Sequence, residues 1–174
     1  MVMSRREFLF VGAAAGATAT TAVAVPIVKR RDTRSDGSTR ETVSYGRKPI
    51  ARLSELAVGD TVAFEYPAPG DTSLLVRLGR PATGGAGPDS DVVAFSNRCT
   101  HMGCPIEDVR IDSGVLGPCP CHFTTFDLAR DGQVVLGQAT QNLPRVDLEL
   151  DGDDIYATGV TRLIYGRSDN LVTG

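Results

Sequence analysis

All four cysteines and both histidines of this 174-residue chain fall in two short runs, Cys99-Thr100-His101-Met102-Gly103-Cys104 and Cys119-Pro120-Cys121-His122. Random placement would scatter these residues, so a chain that gathers them must bring two loops together around something that wants sulfur and imidazole. Cys99 and His101 flank one residue, and a tight loop turns both side chains to one side. Cys121 and His122 are adjacent and point apart, whereas Cys119 and His122 can converge. Each loop then offers one Cys and one His and keeps a spare cysteine, Cys104 in the first and Cys121 in the second. Such a pair closes a disulfide if its Cα atoms come within about 7 Å.

Two thiolates and two imidazoles suit a [2Fe–2S] cluster with Cys on one iron and His on the other. Structural zinc also takes two of each, but zinc modules usually pair like with like, as C-x(2–4)-C and H-x(3–5)-H. The mixed pairs seen here, each with an extra Cys, fit zinc poorly, and a disulfide-only scaffold leaves both histidines unexplained. CTHMGC and CPCH resemble the two cluster-binding boxes of Rieske proteins. That resemblance implies Cys99 and Cys119 on one iron, His101 and His122 on the other, and a Cys104–Cys121 disulfide. From about Tyr45 to Leu171 the chain is also similar to the small subunit of arsenite oxidase. The runs VAFEYP, CTHMGCP, CPCHFTTFD, NLPRV and VTRLIYGR carry that similarity.

Charge is unevenly placed. Residues 1–31 hold five basic side chains and one acidic one, and the rest hold thirteen basic and twenty acidic. An acidic body argues against nucleic-acid binding and suits steering of a basic redox partner. Ser4-Arg5-Arg6-Glu7-Phe8-Leu9 before an uncharged stretch to Val28 reads as a twin-arginine export signal. Residues 1–28 are therefore expected to form a signal helix, which directs the protein to the periplasm. Ala22-Val23-Ala24 offers a cleavage site, and left uncleaved the apolar stretch is long enough to act as a membrane anchor. Residues 29–44 are charged and polar and are expected to be a flexible linker.

Residues 45–174 read as one all-β domain, an antiparallel sandwich or small barrel with a cluster-binding subdomain whose loops lie at 99–104 and 119–127. Strands are predicted at 61–66, 74–78, 92–96, 133–137, 145–150 and 155–159, with a Gly/Pro-rich loop at 81–88. Asp131-Gly132 and Asp151-Gly152 are hairpin signals.

After the second box, quinol-oxidising members of the family typically carry Gly-Ser-x-Tyr, where this chain has Phe123-Thr124-Thr125-Phe126. Thr124 keeps a hydroxyl able to reach a bridging sulfide, while Phe126 loses a phenolic donor. Donors to cluster sulfurs raise the potential, so a value below that of those relatives is expected. Phe123 is read either as a packed aromatic or as a ring shielding the cluster edge at a docking surface. In Gly137–Pro144, Gln138 and Thr140 stand where related proteins carry a proline-rich third loop, which argues against direct quinol docking.

A one-electron centre makes no bonds, so no catalytic residue is named. The resemblance implies the electron-transfer subunit of an oxidoreductase whose molybdopterin-containing large subunit oxidises arsenite to arsenate. Electrons would then leave for a c-type cytochrome or cupredoxin. The Rieske subunit of a quinol–cytochrome c reductase and a non-enzymatic metal-binding module are the competing readings.

Overall fold

A computed structural model of the chain describes residues 45–170. The export signal at 1–28 and the linker at 29–44 lie outside the described residues. Among those described, no helix is long and apolar enough to cross a membrane.

Ten strands follow in order: β1 Lys48–Arg52, β2 Thr61–Glu65, β3 Thr72–Arg77, β4 Val92–Ser96, β5 Val109–Arg110, β6 Val115–Leu116, β7 Thr125–Asp127, β8 Gln133–Leu136, β9 Arg145–Asp151 and β10 Asp154–Val160. Six form one antiparallel sheet in the order β1-β10-β9-β4-β3-β2, and four form a smaller one in the order β5-β6-β7-β8. The large sheet is nearly closed, and Lys48 Nζ on one edge strand donates to the Glu65 carbonyl on the other at 2.7 Å. The expected all-β architecture is therefore present.

Side-chain alternation explains how one sheet serves two cores. Val92 and Ala94 of β4, with Leu75 of β3, face the interior of the curved sheet, packed with Leu56, Tyr66, Val146, Ile155 and Ala157. Val93 and Phe95, with Leu74 and Val76, face the opposite way, against Ile106, Leu116, Phe126, Leu128 and Leu143 of the small subdomain. Both faces of β4 are covered, which is why Val92 to Phe95 are apolar without interruption and the whole strand is buried. The thiols of Cys99 and Cys119 belong to this second core. The loops that carry them are thus extensions of a packed interface.

The subdomain is also fastened by ion pairs between side chains. Asp131, in the turn between β7 and β8, accepts from Arg145 Nη1 of β9 at 2.6 Å and pairs with Arg162 just after β10. Arg145 also reaches Asp147 at 3.1 Å. The expected turns are present too. Asp131 and Gly132 both take positive φ, and β9 pairs with β10 across Gly152-Asp153.

Candidate metal centre

The two loops share one backbone design. In the first, Cys99 N–H donates to the Cys104 carbonyl at 2.9 Å, and Gly103 N–H donates back to the Cys99 carbonyl at 2.7 Å. In the second, Cys119 N–H donates to the Thr124 carbonyl at 2.8 Å, and Phe123 N–H donates to the Cys119 carbonyl at 2.9 Å. The fifth residue of each loop, Gly103 or Phe123, turns the chain with positive φ, 75° and 60°. Glycine adopts that conformation freely, and a β-carbon makes it costlier by about 1–2 kcal/mol. Phe123 holds it nonetheless, with its side chain 67% exposed. The reading of Phe123 as a packed aromatic is corrected, because the left-handed turn throws the ring outward.

Cys104 and Cys121 form a disulfide with Cα atoms 6.5 Å apart, tying loop to loop. Cys99 and Cys119 remain free and buried. The sulfurs of Cys104, Cys119 and Cys121 all lie within 4.8 Å of one another. Two of those sulfurs are bonded to each other, so only Cys119 of the three keeps a thiol able to ligate, and Cys99 is its free counterpart. Burial pushes the Cys99 thiol up, and its neighbour Cys119 adds to the rise. Backbone N–H groups of His101 and Met102 aimed at the sulfur oppose it. A buried thiol that also receives amide donors is prepared to carry the thiolate's negative charge once a metal cation displaces its proton.

The rings of His101 and His122 meet edge to face, with centroids 4.7 Å apart. His101 Nδ1 is buried and has no hydrogen-bond partner, while the His122 side of the tip is open to solvent. Two buried free thiols, two converging imidazoles and an orphaned imidazole nitrogen make a donor set that fits a [2Fe–2S] cluster. The residues expected from sequence are brought together at one tip.

Thr124 is fully buried, and its Oγ1 accepts N–H bonds from Gln138 at 3.1 Å and Ala139 at 3.4 Å. Those bonds occupy the acceptor side of the hydroxyl and leave its single proton free to donate. Gly137 permits this approach, since a Cβ there would come within 2.7 Å of Thr124 Oγ1. The third loop is therefore held on the second by hydrogen bonds in place of prolines. It is held on the first by Thr100 Oγ1 donating to the Gln141 carbonyl at 2.6 Å. Phe126 lies wholly in the core, paired on β7 with Leu116 and Val134. Thr100 is not distinguished in the sequence from other surface polar residues, and Asp131 is legible there as a turn residue but not as the partner of Arg145 and Arg162.

A family model described as the Rieske [2Fe-2S] domain matches residues 47–147. The iodate reductase subunit IdrB of Denitromonas iodatirespirans is 46% identical over 172 residues, covering 97% of this chain and 86% of that protein. The subunit of the same name from Pseudomonas sp. (strain SCT) is 44% identical over 165 residues, covering 94% and 82%. The crystal structure of the soluble domain of the Rieske protein II (soxF) from Sulfolobus acidocaldarius has the same fold. Its TM-score is 0.63 at 24% identity, over 72% of this chain and 83% of that one.

Proposed function

The chain belongs to the Rieske [2Fe-2S] family, and from that premise we propose that it is the electron-relay subunit of a two-component oxidoreductase of the iodate reductase kind. Its cofactor is a [2Fe-2S] cluster, which supplies one-electron transfer when bound. Cys99 and Cys119 hold one iron and His101 and His122 the other, in this reading. The observation that carries it is the meeting of two buried free thiols with two imidazoles at a single tip, one side of which is open to solvent.

The protein's own residues do the rest. The disulfide and the third loop fix the two loops, so that little reorganises as charge arrives. The apolar core packed around Cys99 and Cys119 keeps water from the sulfur side. Thr124, its acceptor side taken by two amides, would offer its hydroxyl proton to the cluster, which favours the more negative, reduced state. The imidazole side is the electron doorway.

The partner is a large subunit holding a molybdopterin site, and a c-type cytochrome or cupredoxin exchanges electrons at the other end of the route. The twin-arginine signal delivers the folded, loaded protein to the periplasm, as a single Rieske domain from residue 45 onward.

A second reading, the small subunit of arsenite oxidase, is favoured by the runs VAFEYP, NLPRV and VTRLIYGR. The two readings differ in the direction of electron flow. The complex co-purified on this chain should be poised with its cluster reduced or oxidised and followed by low-temperature EPR. Iodate reoxidising the reduced cluster, only with the large subunit present, is the expected result. Arsenite reducing the oxidised cluster would install the second reading instead. A complex that contains cytochrome b and answers only to quinol would overturn both.

A further inference from the structure

The stretch VTRLIYGR begins on the last residue of β10 and runs past it, far in sequence from either loop, yet it is anchored at three points. Arg162 pairs with Asp131 and donates from Nη1 to the Leu143 carbonyl at 3.1 Å. Ile164 is 1% exposed, and its N–H donates to Asn170 Oδ1 at 3.0 Å, while Asn170 Nδ2 donates to the Arg162 carbonyl at 2.6 Å. Arg167 grips the buried Asp71 with Nε at 3.0 Å from Oδ1 and Nη2 at 2.6 Å from Oδ2. So many links for a segment without regular structure point to a task beyond ending the chain.

What the strap carries is Tyr165, which lies on Gly103. A Cβ added at Gly103 would come within 2.7 Å of the ring's Cε1 and nearer still to Cδ1. Gly103 is the left-handed fifth residue of the first loop, the position that Phe123 occupies in the second. Each loop thus carries an aromatic ring at the same place in its backbone design. In the second loop the ring is the residue's own, and in the first it arrives from the strap. A side chain at 103 and a ring from 165 exclude each other, and the sequence has chosen the ring.

We propose that Tyr165 is a positioning residue for the cluster, pressing on Gly103 to fix the segment between His101 and Cys104, with the arginine-anchored strap as its mount. The ring acts by packing, because no hydrogen bond of its hydroxyl is needed for the contact. Tyr165 is 41% exposed, so the ring stands at the rim of the tip and contributes little to the core. A merely structural role would therefore be small, whereas a loop freed beside an imidazole ligand changes the ligand field directly. This inference rests on the first loop carrying His101 as a ligand.

The test uses the full chain, reduced, by EPR and redox titration. Tyr165→Ala is expected to broaden the EPR lines and shift the midpoint potential, and Tyr165→Phe to restore both. Arg167→Gln, which loosens the mount without touching the loop, is expected to shift them the same way by less. It also serves if Tyr165→Ala accumulates without cluster. Line shape and potential unchanged in Tyr165→Ala, or altered as much in Tyr165→Phe, would overturn the proposal. A wild-type chain lacking the Rieske signal would instead overturn the site assignment, so the two failures are distinguishable.

Discussion

The six-stranded sheet and the four-stranded tip are built on different principles. In the sheet, strands of five to seven residues pair side by side and bury alternating apolar side chains, Leu75, Val92, Ala94 and Ile155 among them. In the tip, strands shrink to two to four residues. Shape there depends on cross-links: the Cys104–Cys121 disulfide, the Asp131 ion network, the third loop on Thr124 and the cluster itself. The sheet can be specified by hydrophobic pattern alone, because burial is non-directional and spread over many residues. The tip needs specific bonds at specific atoms, because a redox site must hold its geometry where there is little surface to bury.

That contrast can be broken or sharpened by substitution. Cys119→Ser should abolish the cluster, with iron content falling to background, while far-UV circular dichroism still reports the large sheet. A chain that kept its iron would contradict the ligand assignment. Phe95→Ala, at the interface of the two regions, should cost about 3–5 kcal/mol in chemical denaturation and lower both regions together. Replacing both Cys104 and Cys121 by Ala should cost about 3 kcal/mol for a loop of this length, confined to the tip. Cluster loss should therefore precede sheet unfolding on heating, and a single shared transition would deny that the tip is separately cross-linked. The smallest change expected is Phe126→Tyr, an upward shift of midpoint potential with little change in melting, measured by redox titration. No shift would mean that a phenol on β7 does not reach a ligand sulfur.

The same contrast explains what could be seen in advance. Strands at 61–65, 92–96, 145–151 and 154–160 stand close to where apolar alternation and turn residues put them. β5, β6 and β7 went unseen, since two or three residues cannot display a period of two. β1, KPIAR, was hidden by a proline and by its place at a sheet edge. The proposed ligand set is legible because cysteine and histidine are scarce here and fall in two boxes. Its supports are not. Thr124 declares a hydroxyl but not the two amides that orient it, and Gly103 declares a turn but not the ring that covers it. Such contacts join residues far apart in the chain and leave no periodic trace. The one hint in the sequence is VTRLIYGR, which carries a family resemblance without revealing what the segment holds in place.

The central claim is that two thiolates and two imidazoles, drawn from a pair of loops of the same design, hold two irons. Electron–nuclear double resonance on the reduced full chain tests it most directly. The account predicts a Rieske-type signal coupled to two imidazole nitrogens, with one nitrogen lost on replacement of either His101 or His122. A colourless chain silent after reduction, or a cluster without nitrogen coupling, would contradict it.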